Sequence, residues 1–290
     1  MKTEKNGKVK KQSQMREVWR RLRKNKLAMV CLVVIILLVL AAIFAPLICP
    51  YSYSEQNLRE SFAGISWKHL LGTDKMGRDI FTRIIYGART SLLVAIISVA
   101  IGLVIGGLLG AIAAYYGGVT DNVIMRLLDI LMAVPPLLLA VAICAALGTG
   151  VINCAIAIGV ASIPLFARVM RAAAISIIGQ EYVEAAKACG VSNLKIIISH
   201  IIPNSLGIIL VQSTLRIGES ILQIASLSFI GLGVQPPTPE WGNMLSYGRE
   251  YIRSNPSMVI IPGVAIMITL IAFNSVGDGL RDAMDPKLRN

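Results

Sequence analysis

The chain has 290 residues, 55% hydrophobic and 15% charged, with a formal net charge of +12. Soluble domains carry about 25% charged residues; here long uncharged apolar runs take up the difference, which argues against an ordinary globular domain and for a membrane protein. Nucleic acid is not the partner the positive balance suggests, because eleven of the 28 Lys and Arg fall in residues 1–26, directly before an apolar run, where such charge holds that end of a chain in the cytoplasm.

The first apolar run, 27–48, is too long for the core of a secretory signal and reaches the roughly 20 residues needed to cross a bilayer. Residues 49–89 mix polar, aromatic and charged types, and Gly72-Thr73-Asp74 with Gly77-Arg78-Asp79 predicts turns there. A second span is predicted at 90–115. Its Gly102, Gly106, Gly110 and Ala114 fall four apart, a stripe that lets another backbone approach closely. The third span, 127–147, contains Pro135-Pro136 and should kink. Arg126 and Asp129, three residues apart near its start, are expected to pair.

A tight turn at Gly148-Thr149-Gly150 leads into the fourth span, 151–174. The fifth, 206–232, is the least uniform. It carries Arg216 and Glu219 with Gln212, Ser213, Ser220 and Gln223 nearby. Charges inside a span mark either a structural ion pair or a polar route; the surrounding polarity favours Gln212, Arg216, Glu219 and Gln223 as lining a translocation pathway. Residues 233–257 include Pro236-Pro237-Thr238-Pro239, which prevents a continuous helix. Gln235, Glu240 and Trp241 are the residues there expected to form an external gate or to meet an external partner. A sixth span is predicted at 258–276, followed by a tail, 277–290.

With the N-terminus inside, the cytoplasmic segments hold nineteen Lys and Arg and the external ones eight. The fold expected is therefore all-α and polytopic, with six transmembrane helices and both termini cytoplasmic. Its parts are a basic tail (1–26), a first helix (27–48), an external loop (49–89) and a five-helix core (90–276). The five cysteines show no metal-ligand spacing and no disulfide frame. His69 and His200, the two histidines, fall on opposite sides of the membrane, so neither a catalytic dyad nor a metal cluster is expected.

Residues 176–205, between the fourth and fifth spans, are predicted to form two short cytoplasmic helices. Glu181–Cys189 should end at Gly190, and a second helix, capped by Ser192 or Asn193, should run to Pro203. Such a pair suits docking into a partner's groove.

Glu184-Ala185-Ala186, Gly190 four residues after Ala186 and Pro203 thirteen after that resemble the EAA loop of bacterial ABC importer permeases. His200 and Ile202 stand where that loop usually has Ile and Leu, and His at the first of these is common in the peptide-transport branch. Gly87-Ala88-Arg89-Thr90-Ser91-Leu92, Ser228-Phe229-Ile230-Gly231-Leu232-Gly233, Pro239-Glu240-Trp241-Gly242-Asn243-Met244-Leu245 and Gly277-Asp278-Gly279-Leu280-Arg281-Asp282 with Asp285-Pro286 also resemble permeases of dipeptide, oligopeptide and nickel importers. The likeness is to the C-type member of a two-permease pair and covers roughly residues 15–290.

The resemblance implies a type I importer fold in the bacterial cell membrane. It also implies a heterodimer with a second permease, two ATP-binding subunits at the cytoplasmic face and an extracytoplasmic solute-binding protein. Glu181, Glu184, Ala185, Ala186, Gly190, His200 and Pro203 would couple the chain to the ATPases. ATP and Mg would be used there: this sequence has no G-x-x-x-x-G-K-[ST] phosphate loop, and no cofactor of its own is expected. Peptides are the substrate class expected, nickel the alternative. A channel or secondary transporter would leave the coupling-type loop unexplained.

Overall fold

The computed structural model describes residues 14–284. The first thirteen residues of the predicted basic tail, and Asp285-Pro286, lie outside that range. Among the described residues the chain is all helical: five helices are long and apolar enough to span a bilayer, and a bent pair makes a sixth if counted as one span.

A short helix α1 (Gln14–Leu22) precedes the first span and rests Val18 and Leu22 on Leu280 and Ala283. The first span is α2 (Lys26–Ile43), opened by Asn25, whose side-chain oxygen accepts from the Ala28 N–H at 3.1 Å. A one-turn helix α3 (Ala45–Ile48) follows, with Pro46 in its first turn.

An external lobe then leads to α4 (Ile80–Tyr116), a helix of 37 residues that begins ten residues before the predicted second span. The two Gly-Asp motifs build this lobe. Asp74 accepts the N–H groups of Met76 and Arg78 and pairs with the Arg78 guanidinium at 2.6 Å. Asp79 caps α4, accepting the Thr82 N–H at 2.7 Å with one oxygen while the other meets His69 Nδ1 at 2.9 Å.

The third span departs from the kinked rod expected. It is two helices, α5 (Gly118–Met132) and α6 (Pro136–Leu147), bent by 84°. Pro136 has no N–H to donate and disfavours helical torsion in the residue before it; Pro135 is accordingly extended at ψ 134°. The predicted Arg126–Asp129 pair is also corrected. Asp129 accepts from Arg168 at 2.5 Å, and Asp121 accepts two bonds from Arg171 at 2.5 and 2.6 Å. Both arginines project from the neighbouring helix, α7 (Val151–Ile178).

α4 packs most extensively on α7. A Cβ at Gly102 would lie 2.0 Å from Ser162 Oγ, one at Gly106 2.4 Å from the Ile163 carbonyl oxygen, and one at Gly110 2.2 Å from that of Ala167. The predicted glycine stripe is the α4–α7 seam. Lipid offers little hydrophobic drive for helix pairing, so such backbone approach supplies the packing instead.

After α7 come α8 (Glu181–Ala188) and α9 (Asn193–Ile196). The helix that begins at Asn193 does not stop at Pro203. It continues through a π-helical turn, Ile197–Ile201, into α10 (Ile202–Phe229). The Ile202 N–H bonds the Ile197 carbonyl, five residues back, so the ladder has already widened where Pro203 lacks its donor. On the outer side α11 (Trp241–Gly248) follows the proline-rich stretch, and α12 (Ser257–Met284) closes the bundle, running eight residues past the predicted sixth span.

The seam yields a prediction. Gly106→Leu forces α4 off the α7 backbone and should destabilise the purified protein by about 1–3 kcal/mol, the usual cost of overpacking. Gly107→Ala, whose Cβ meets only Met170 Cε at 3.6 Å, should leave the melting temperature unchanged.

Candidate coupling and translocation sites

At the end of the bundle assigned to the cytoplasm, α8 is pinned by one side chain. Val183 is fully buried in a cluster with Ile196, Ile197, Ile201 and Ile209, to which α7 contributes Met170 and Ala174 and α4 contributes Ala111. Ala186 packs at the edge of this cluster. The rest of the helix faces out: Glu181, Glu184, Ala185 and Gly190 are all exposed.

Gly190 ends α8 as predicted. Its φ of +74° is left-handed, its N–H bonds the Lys187 carbonyl at 3.0 Å, and the Val191 N–H bonds that of Ala186 at 3.1 Å. These are the two bonds of a Schellman closure. Ser192 occupies the N-cap of α9 without a side-chain hydrogen bond. Asn193 instead accepts from the Tyr115 hydroxyl at 2.8 Å, and the Lys187 ammonium sits 5.0 Å from the centre of the same ring. Tyr115, at the last turn of α4, thus ties the segment to the seam helix; sequence inspection placed it only as the end of a span. His200 is half-buried in the π turn, its ring 6.3 Å from that of Tyr182, and Pro203 is exposed as the second residue of α10.

The four polar residues singled out in the fifth span lie along one side of α10. Gln212 and Gln223 are half-buried, Arg216 is buried and Glu219 is 52% exposed. Arg216 pairs with Glu219 through Nη1. Its Nε, the Ser220 hydroxyl and the Gln223 carbonyl oxygen are buried with no hydrogen-bond partner among the described residues. Unsatisfied polar groups at this depth are costly; of this group only the Glu219 carboxylate is substantially exposed. Ile208, Leu222 and Phe229 are exposed on the same helix. Near its cytoplasmic end a cavity of about 490 Å³ is lined by Gln212, Leu215 and residues of α7 and α12.

The outer residues separate. Gln235 is exposed. Glu240 and Trp241 are not on the surface where a gate or partner contact was expected; they are 1% and 0% exposed. Trp241 Nε1 donates to the Ile84 carbonyl at 3.0 Å. Glu240 caps α11, accepting the Gly242 and Asn243 N–H groups at 2.8 Å each, and also meets the Ser91 hydroxyl. Burial pushes its carboxyl above the usual range, and these hydrogen bonds only partly oppose that. Pro-rich sequence and two polar letters read as surface; the capping geometry that buries them is not visible without the fold.

Residues 106–290 match a family model described as the binding-protein-dependent transport system inner membrane component. The chain belongs to that family. Residues 13–64 of this permease also match a model for the N-terminal TM domain of oligopeptide transport permease C. It is 50% identical over 278 residues to the dipeptide transport system permease protein DppC of Alkalihalophilus pseudofirmus, covering 96% of this chain and 91% of that protein. It is 44% identical to the di/tripeptide transport system permease protein DppC of Pseudomonas aeruginosa (96% and 94% covered) and 46% identical to the glutathione transport system permease protein GsiD of Escherichia coli O157:H7 (94% and 90%).

Among solved structures, a chain of the MetNI methionine ABC transporter in an inward-facing conformation superposes with a TM-score of 0.57 at 18% identity, covering 70% of this chain and 97% of that one. The permease therefore has the type I importer fold and is a multi-pass inner-membrane protein.

Glu240 supplies a second prediction. Glu240→Ala removes the α11 cap and should cost about 1–2 kcal/mol for the cap alone. Glu240→Gln keeps an acceptor and avoids burying charge. Because the folded carboxyl titrates above its unfolded value, wild-type stability should fall as pH rises from about 4.5 towards the folded value. Melting curves should show Glu240→Gln matching or exceeding wild type at pH 7.5, with the difference shrinking towards pH 5.

Proposed function

We propose that the chain is one permease of a heterodimeric ATP-driven importer that carries peptides into the cell by alternating access. The observation that supports it best is the α8 surface. An exposed face carrying Glu184 and Ala185 and a fixed Schellman turn stand on a buried isoleucine cluster that Ala186 abuts, so a push on α8 would be delivered to α4, α7 and α10 together. The partner in that contact would be the ATPase subunits, which would bind and hydrolyse ATP with Mg. A second permease would face the open side of α10, and a solute-binding protein would deliver peptide from outside. Gln212, Arg216, Glu219 and Gln223 would border the route, which agrees with their position on a side of α10 left unsatisfied within the chain. Peptide is favoured over nickel because the relatives are named for dipeptide, di/tripeptide and glutathione transport.

Gly190 tests the coupling. No atom lies within 4 Å of where its Cβ would project, so a side chain there meets no obstacle within the chain and extends into the docking surface. A non-glycine residue at positive φ costs about 1–2 kcal/mol, Asn least. Gly190→Trp should reduce ATP-driven peptide uptake and substrate-stimulated ATPase activity at least tenfold (on the order of one kcal/mol or more of coupling) with membrane insertion intact. Gly190→Asn should retain both. Unchanged uptake in Gly190→Trp would remove α8 as the coupling element.

A further inference from the structure

The Gly-Asp-Gly-Leu-Arg-Asp run at 277–282 has no role in the coupling or in the route described so far. The structure places it at the last turns of α12, against the cytoplasmic end of α10. A Cβ on Gly277 would lie 2.5 Å from Leu215 Cδ2, so glycine there brings the two helices together. One turn further on, the same face of α12 carries Arg281. Its side chain lines the cavity of about 490 Å³ whose other wall includes Gln212, with Val169, Ile208, Val211 and Met284 around them. That volume falls within the range of small-molecule sites, about 300–1,000 Å³.

A cation in the last turn of a helix is favoured by the helix dipole wherever it points. This one has a specific aim. Asp278 lies one turn back and Asp282 beside it, yet Arg281 pairs with neither, and it is exposed. Among the described residues, Arg281 is the one charged group in the cavity wall. Among the described residues, neither Gln212 nor Arg281 has a hydrogen-bond partner. An apolar cavity with one unpaired guanidinium and one free carboxamide is complementary to a small molecule with a carboxylate and an amide bond.

We propose that this cavity is an inner binding site for the departing peptide, in which Arg281 takes the C-terminal carboxylate and Gln212 a peptide amide. The proposal rests on the peptide-importer reading and adds to it a specificity-determining residue outside α10. A guanidinium holds a carboxylate by two parallel N–H···O bonds, which an ammonium cannot reproduce. The competing source of the same chemistry is a lipid phosphate.

The test uses the complete transporter, with second permease and ATPases, in phosphatidylcholine nanodiscs without binding protein or nucleotide. The probes are trialanine and its C-terminal amide, titrated by calorimetry or by saturation-transfer NMR. Wild type should bind the acid about tenfold more tightly than the amide, the worth of a charge-assisted bond. Arg281→Gln should bind both with the affinity of the amide, and Arg281→Lys should recover part of the preference.

Equal binding of acid and amide by wild type, undetectable binding of the acid, or an Arg281→Gln variant that weakens both alike would overturn the proposal. So would loss of the acid preference in phosphatidylglycerol nanodiscs, which would assign the site to a lipid phosphate. If Arg281→Gln does not assemble, the acid–amide comparison in wild type and Arg281→Lys decides. ATP-driven trialanine uptake by the wild-type preparation with its binding protein is measured alongside. Absence of uptake contradicts the importer reading, whereas uptake without acid preference contradicts only the role of Arg281.

Discussion

The close approach of α4 to α7 is the constraint on which the other features depend. With Gly102, Gly106 and Gly110 laid on the α7 backbone, the two helices form one rigid unit, and α4 carries something at each end. Outside, its cap is Asp79, held by His69 in the external lobe, and its Ile84 carbonyl receives the Trp241 indole. Inside, Ala111 and Tyr115 meet the coupling segment. A bilayer offers no water to satisfy polar backbone and little hydrophobic gain for association, so backbone-to-backbone packing of this kind is what can give a membrane bundle a stiff axis. Under the proposed coupling, motion delivered at α8 would have a mechanical path to the outer lobe because that axis is continuous.

The second constraint is charge inside the membrane. On insertion scales Arg216 and Glu219 each cost about 2.5–3.5 kcal/mol at a helix centre. Their pairing along α10 offsets part of this, and the guanidinium is buried in protein. What the pairing leaves over, Nε of Arg216 with the Ser220 and Gln223 oxygens, is buried polarity with no hydrogen-bond partner among the described residues. The broken span solves a similar problem differently. Its two halves keep their backbone bonds within α5 and α6, and Asp121 and Asp129 are neutralised from α7 instead of from within α5.

Much of this was legible in the sequence. Hydropathy located the spans because a bilayer crossing demands length and apolarity. The small-residue stripe foretold the seam because only glycine fits there. The Gly190 stop was readable because a left-handed helix terminus has a residue signature. What was not legible depended on partners distant in sequence. Asp129 has no partner legible from local pattern, but α7 runs alongside and Arg168, thirty-nine residues further on, reaches it. Glu240 and Trp241 read as surface residues because their burial is set by α4 and α10, not by their neighbours. Pro203 read as a helix end because the π turn that accommodates it has no sequence marker.

The most direct measurement of the coupling account uses a residue the chain already has. Cys189 sits at the end of α8 and is exposed, whereas Cys31, Cys144 and Cys154 are buried and the half-buried Cys49, on the external side, is replaced by serine for the experiment. A benzophenone maleimide attached at Cys189 in the co-expressed transporter, then irradiated, should cross-link the chain to an ATPase subunit, with a yield that changes when ATP is bound. Reaction of Cys189 with a membrane-impermeant maleimide added outside intact cells, or irradiation that captures no ATPase in either nucleotide state, would contradict it.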